Sequence, residues 1–188
     1  ALIASDLGTT GLISVPTARV MSDGNLATTL TRNNVVDIYN VSFQASPFIE
    51  ATFRYSNFNP RDIEGSPLDI QDRSFEIKAL LRSEQRLTPA LAIGVRDILG
   101  TGYWSGEYLV ASKKIFAGDY SFGLGWGRYA GSSGFKNPLS IFGDKFTNRP
   151  DGVDLDFIGG EFGIVGGKSR AKSFLKGDIG FFGGVSYP

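Results

Sequence analysis

Apolar and polar side chains alternate along most of this chain. Across residues 49–56, Ile49, Ala51, Phe53 and Tyr55 interleave with Glu50, Thr52, Arg54 and Ser56. Successive side chains of an extended backbone point to opposite faces, so a period of two makes a strand with one apolar and one polar face. The rhythm recurs. Tyr39, Val41, Phe43 and Ala45 alternate with Asn40, Ser42 and Gln44. Phe75, Ile77, Ala79 and Leu81 alternate with Glu76, Lys78, Leu80 and Arg82, and Leu91, Ile93 and Val95 with Ala92, Gly94 and Arg96. The pattern weakens where Tyr108 and Val110 oppose Glu107, Leu109 and Ala111, then returns in Leu175, Ile179, Phe181, Val185 and Tyr187. Helical periodicity is scarce. The chain therefore reads as all-β, with about nine strands near residues 25–32, 37–45, 48–57, 73–82, 89–97, 105–114, 119–129, 155–166 and 173–187.

The stretch GDYSFGLGWGRYAG, residues 118–131, fits the same rhythm. Tyr120, Phe122, Leu124 and Trp126 take one face, and Gly123, Gly125 and Gly127 the other. A phosphate-binding glycine loop turns from a strand into a helix, and nothing after Gly127 starts a helix. The glycines read instead as the smooth inner face of a long strand. GIVGGKS, residues 163–169, is one residue short of phosphate-loop spacing and reads as a turn.

Two architectures share this alternation. A soluble β-sandwich turns the apolar face inward, and a membrane barrel turns it outward to lipid. The strands are long against the usual strand of about 5–6 residues. A tilted membrane-crossing strand needs about 9–11. Short connections such as Ser46–Pro47 alternate with long polar ones near 58–72 and 130–154. Phe48, Tyr55, Phe75, Tyr103, Trp104, Tyr120, Trp126 and Tyr187 fall near strand ends, where interfacial aromatic girdles lie. The expectation is an antiparallel transmembrane β-barrel, or the N-terminal part of one. Residues 1–24 would lead into it and residues 25–188 would form its strands and loops. Phe53, Ile77, Leu91, Ile93, Phe122 and Leu124 would face lipid. Arg54, Lys78, Arg82, Arg96 and Glu107 are the candidates for the inner wall. A soluble carbohydrate-binding sandwich is the alternative.

Composition narrows the chemistry. The 188 residues include no Cys and no His. That removes thiol nucleophiles, Ser-His-Asp triads, imidazole bases and the usual zinc ligands. Lys plus Arg equals Asp plus Glu, 19 each, so no basic face argues for nucleic acid. Glu50, Glu76, Glu107 and Asp178 are the carboxylates that could form a catalytic pair, but ion pairs with Arg54, Lys78, Arg82 or Arg96 account for them more simply. Asp151, Asp154 and Asp156 form a weak calcium candidate without full EF-hand spacing, and a solvated loop is the preferred reading. No enzyme activity and no cofactor are expected. No apolar run reaches the roughly 18 residues of a membrane helix. The first residues lack the basic flank of a signal peptide and suit the start of a processed chain.

Several segments resemble the N-terminal part of the YjbH family: GTTGLISVPTARVMSDGNL, FRYSNFN, SFEIKALLRSEQRLTPALAIGVRDILGTGYWSGEYLVASKKI and FGLGWGRYAG, with NPL and FFGGVSY further on. ALAIGVRDILGTGYWSGEYLVASK is the most specific of them. The resemblance implies an outer-membrane β-barrel tied to exopolysaccharide or capsule production in Gram-negative bacteria. It implies a conduit or scaffold for export, with lipid, polysaccharide and other envelope proteins as partners. Arg54, Lys78, Arg82, Arg96 and Glu107 then become candidates for contact with the polymer. A general outer-membrane pore, or a structural part of a larger envelope complex, is the second reading. The family offers no catalytic residues to carry over.

Overall fold

The computed structural model describes residues 4–58, 70–149 and 171–187. Eight strands form one antiparallel sheet in chain order: β1 (Leu26–Arg32), β2 (Val36–Ser46), β3 (Ile49–Phe58), β4 (Ile70–Arg82), β5 (Ala90–Arg96), β6 (Gly106–Ile115), β7 (Gly118–Trp126) and β8 (Ile179–Ser186). Each strand pairs with its neighbour in sequence, as hairpin connections favour. Seven of the expected strands appear within a few residues of their predicted bounds. The last begins later than expected, at Ile179, because Ala171–Ser173 is a 3-10 turn and Leu175 takes a positive φ of 59°. The strand expected at 155–166, the aspartates Asp151, Asp154 and Asp156 and the GIVGGKS turn lie outside the described residues.

The register keeps the apolar sets on one face except in β6, where Tyr108 and Val110, read as the apolar side, turn inward and Leu109 lies outside. Phe43 pairs with Ala51, Phe53 with Phe75, Ile77 with Val95, Ile93 with Leu109 and Leu124 with Phe181. That face is open. Phe75 is 44% exposed, Ile77 47%, Phe122 60% and Phe181 60%. The opposite face is covered, and its occupants are polar. Arg54, Lys78, Glu50, Glu76 and Gln44 are among the largest fully buried side chains. This inverts the usual arrangement, in which charged residues are almost never fully buried unless paired.

The N-terminal segment covers the polar face. Asn40 Nδ2 and Thr31 Oγ1, on β2 and β1, both donate to the Asp6 carbonyl. The Asp6 N–H donates to the Ile13 carbonyl, and the neighbouring Leu12 side chain lies against Gly184 on β8. A flat sheet with strands about 4.8 Å apart would hold β2 and β8 roughly 29 Å from each other. One tight N-terminal turn reaches both, so the sheet is strongly curled around it. β1 and β8 do not pair with each other, and among the described residues the sheet is not closed. Two small apolar clusters complete the interior. Leu7, Val36 and Ile38 pack with Phe58 and Trp104, while Ala18, Ala90, Ala92, Tyr108 and Val110 pack with Leu80, Tyr129 and Phe182.

Gly123 and Gly125 are buried on the inner face of β7. A Cβ on Gly125 would stand 2.6 Å from the Glu107 carbonyl oxygen and 2.8 Å from Tyr129 Cβ. Glycine here lets Tyr129 lie against the strand. Gly127 differs from the expectation: the strand stops at Trp126, and Gly127 takes φ +62° to start a 3-10 turn. Trp126, expected outside, is buried beside its register partner Ile179.

Candidate functional site: the charged inner wall

Strands β3, β4 and β5 put their charges side by side. Glu50 pairs in register with Lys78, and Glu76 with Arg96. Arg54 Nη2 donates to Glu76 Oε2 at 2.9 Å and Arg96 Nε donates to the same oxygen at 2.7 Å. The Tyr108 hydroxyl donates to Glu76 Oε1 at 3.1 Å, reaching across Gly94, whose missing side chain leaves room for the tyrosine ring. Lys78 Nζ lies 3.2 Å from Glu50 Oε2. Burial of a lone charge costs several kcal/mol, on the order of what an entire small domain has in reserve, so these groups persist inside only as hydrogen-bonded sets.

Part of the remaining capacity of this wall goes to the main chain of the N-terminal segment, while Arg54 Nε and Nη1 and Arg96 Nη2 are left without a hydrogen-bond partner among the described residues. The two Glu50 oxygens accept from the Thr10 N–H at 2.7 Å and the Thr10 hydroxyl at 2.6 Å. Lys78 donates to the carbonyls of Thr10 (2.9 Å) and Arg19 (2.7 Å), Ser42 to that of Gly8 (2.7 Å), and Arg54 to that of Leu7. Ser112, on β6, accepts from the Ala18 N–H at 2.8 Å. Residues 5–19 thus form a strap held by the wall through its peptide groups.

The strap ends in a clasp at the rim where β6 turns into β7. Arg19 donates to both Asp119 oxygens, at 2.9 and 2.8 Å, and to Glu84 at 2.6 Å. Lys113 Nζ sits 2.9 Å from Glu84, and the Lys114 N–H also donates to that carboxylate. Desolvation pushes the Glu84 carboxyl up, but the hydrogen bonds from Lys113, Arg19 and the Lys114 N–H outweigh it and hold it at about 2. The bond to Asp119 raises the Arg19 guanidinium above its already high value.

Arg54, Lys78 and Arg96 therefore stand together on the inner wall. Two other candidates do not. Arg82 is exposed: a bulge between Leu80 and Arg82 slips the register, so Arg82 pairs with Leu91 of the apolar face. Glu107 shares the outward face of β6 with Leu109 and pairs with Val95. It is buried because Arg149 Nη1 and Nη2 (2.9 and 2.8 Å) and the Leu175 N–H (3.0 Å) cover it at the rim. Glu50 and Glu76 take the ion pairs anticipated for them, while Asp178 is exposed. Arg19, Glu84, Asp119 and Arg149 escape sequence reasoning, since no periodicity marks a clasp between segments far apart in the chain. Among the described residues, no cluster of acidic side chains could hold a metal ion, and no helix is long and apolar enough to cross a membrane.

Residues 3–188 match the model of a family described as exopolysaccharide biosynthesis protein YbjH. The chain belongs to the YjbH family. It is 36% identical over 189 residues to the uncharacterized lipoprotein YjbH of Escherichia coli (strain K12). That alignment takes in 97% of this chain and 26% of the relative, so the chain spans about a quarter of the length of this YjbH protein. No solved structure matches it. The description of the family links that family to exopolysaccharide biosynthesis.

Proposed function

We infer that this YjbH-family chain is part of the wall of an outer-membrane β-barrel, and that it serves exopolysaccharide production as a conduit or scaffold rather than as an enzyme. The observation that carries this reading is the inversion of its faces. All eight strands turn exposed apolar or small side chains outward, while Arg54, Lys78, Glu50 and Glu76 are buried inside. Lipid would cover the outer face without cost, and water would not. Every backbone N–H and C=O in hydrocarbon needs a partner, so such a wall needs paired edges. Further strands of the longer protein would pair with β1 and β8. The relative's name, lipoprotein, fits an envelope setting for this chain as well. Outer-membrane lipid, the polysaccharide and other envelope proteins are the partners, and no cofactor is needed.

The strap favours this reading over a general diffusion pore, because a pore for small solutes has no use for an interior occupied by its own chain. The test compares surface and intracellular polymer in cells with and without the gene. A deletion should leave precursors in place and lower surface polymer. Unchanged surface polymer would leave the pore or structural-component reading. Recovery of the full-length protein in solution without detergent would instead point to a soluble sandwich.

A further inference from the structure

Between its ends the strap is gripped mainly by its peptide groups, with the Thr10 hydroxyl as an added side-chain contact. Donors and acceptors lie in a row along the curled face. Ser42 and Arg54 donate, Glu50 accepts twice, Lys78 donates twice and Ser112 accepts. Such a row suits any extended polymer that offers hydroxyls and ring or carbonyl oxygens at short intervals. Glu50 is the clearest case. One carboxylate oxygen accepts from an N–H and the other from the hydroxyl of the same residue, Thr10. That is how a carboxylate accepts two vicinal hydroxyls of a sugar ring, since an ionised carboxylate has only acceptor capacity to offer.

We propose that residues 5–19 are a tethered occupant of a saccharide-binding track on the inner wall, and that release of the Arg19 clasp frees the track for a polysaccharide chain. This rests on the export reading given above and adds where on the wall the polymer lies. Strap and polymer exclude each other, because both need Glu50, Lys78 and Ser112. The clasp is the weak point. Arg19, Glu84 and Asp119 sit at the rim with 16%, 18% and 23% of their side-chain surface exposed, whereas Lys78 and Glu50 have none. Partly hydrated ion pairs contribute little each, so opening begins there.

The chain has no cysteine, so a single reporter thiol is clean within it. Ser112→Cys puts that thiol under the strap, where the Ala18 N–H meets Ser112. The full-length protein carrying it is placed in phosphatidylethanolamine and phosphatidylglycerol vesicles and treated with a maleimide. Adding Arg19→Glu should raise the labelling rate by about tenfold or more, as expected for a locally opened segment. Glu84→Gln with Asp119→Asn weakens the same clasp more gently, and it should act in the same direction if Arg19→Glu impairs folding. Oligosaccharides from partial acid hydrolysis of the cells' own exopolysaccharide should then slow labelling of the opened protein and leave the closed one unchanged. Labelling that stays slow in both clasp variants would make the strap a fixed structural element and overturn the proposal. Fast labelling that the oligosaccharides do not slow would overturn the saccharide track while leaving the export reading standing. Failure of that reading shows separately, as unchanged surface polymer in the deletion strain.

Discussion

Replacing Glu76 by Gln keeps the shape of the side chain and removes its charge. Glu76 accepts from Arg54 (2.9 Å), Arg96 (2.7 Å) and Tyr108 (3.1 Å). The side-chain exposures of Arg54, Glu76 and Arg96 are 0%, 1% and 4%. Without the carboxylate, two guanidinium groups face each other with no counter-charge. Two charge-assisted hydrogen bonds are worth about 1.5–3 kcal/mol each, and the Gln carbonyl still accepts one bond, which offsets part of their loss. Breaking a buried ion pair costs about 3–5 kcal/mol, and that is the expected destabilisation. Chemical denaturation in vesicles, followed by tryptophan fluorescence, measures it. Trp104 is a suitable reporter because it packs against Phe58 and donates to Ser56 at 3.0 Å. Removing all three charges, with Arg54→Met, Glu76→Met and Arg96→Met together, should recover most of the loss, because apolar replacement of a whole buried ionic set is often near neutral. A Glu76→Gln cost below about 1 kcal/mol, the range of a hydrated surface pair, would refute the buried-network argument. A triple variant no better than the single one would refute its electrostatic part.

Three further outcomes follow from the same geometry. Ile77→Lys, on the exposed apolar face between its register partners Ala51 and Val95, should destabilise the protein in a bilayer by about 2–4 kcal/mol, and a near-zero cost in vesicle unfolding would mean that this face meets water. Gly125→Val should cost at least the roughly 1–3 kcal/mol of overpacking, because backbone and Tyr129 leave no space, while Leu124→Ile on the outer face should change stability by less than about 1.5 kcal/mol in the same assay. The Glu84 carboxyl, held at about 2 against an ordinary 4.5, gives the clasp a contribution that is complete above the ordinary value and lost as pH falls toward the folded one. Stability to chemical denaturation in vesicles should therefore fall between about pH 4.5 and 2, and Glu84→Gln should flatten that part of the profile.

The strands were legible because alternation is a local property. Residues 48–57 were expected and Ile49–Phe58 form β3, since the pleat alone sorts Glu50, Thr52 and Arg54 from Ala51, Phe53 and Tyr55. What alternation cannot express is register. One bulge after Leu80 moves Arg82 from the polar set to the side of Leu91, and nothing in SFEIKALLR marks it. Glu107 was placed on the inner wall because Tyr108 and Val110 read as the apolar side of β6; these two turn inward instead, and the burial of Glu107 on the other face depends on Arg149, which lies 42 residues away. The strap was hidden for a different reason. Apart from the Thr10 hydroxyl on Glu50, its contacts with Glu50, Lys78, Ser42 and Ser112 run through peptide N–H and C=O groups, which every residue carries, so little in the side-chain pattern of residues 5–19 reports them. The sequence signal that remained was the choice of wall residues. A strand face that water solvates needs no matched partners, whereas this one sets Glu50 beside Lys78 and Glu76 beside Arg96 at consecutive inward positions of paired strands. Opposite charges matched at that spacing stabilise a wall whose polar side is shut away from bulk water. Arg54, Lys78 and Arg96 stand against Glu50 and Glu76, one positive charge in excess among these five, so release of the strap calls for water or an incoming polymer to solvate that charge.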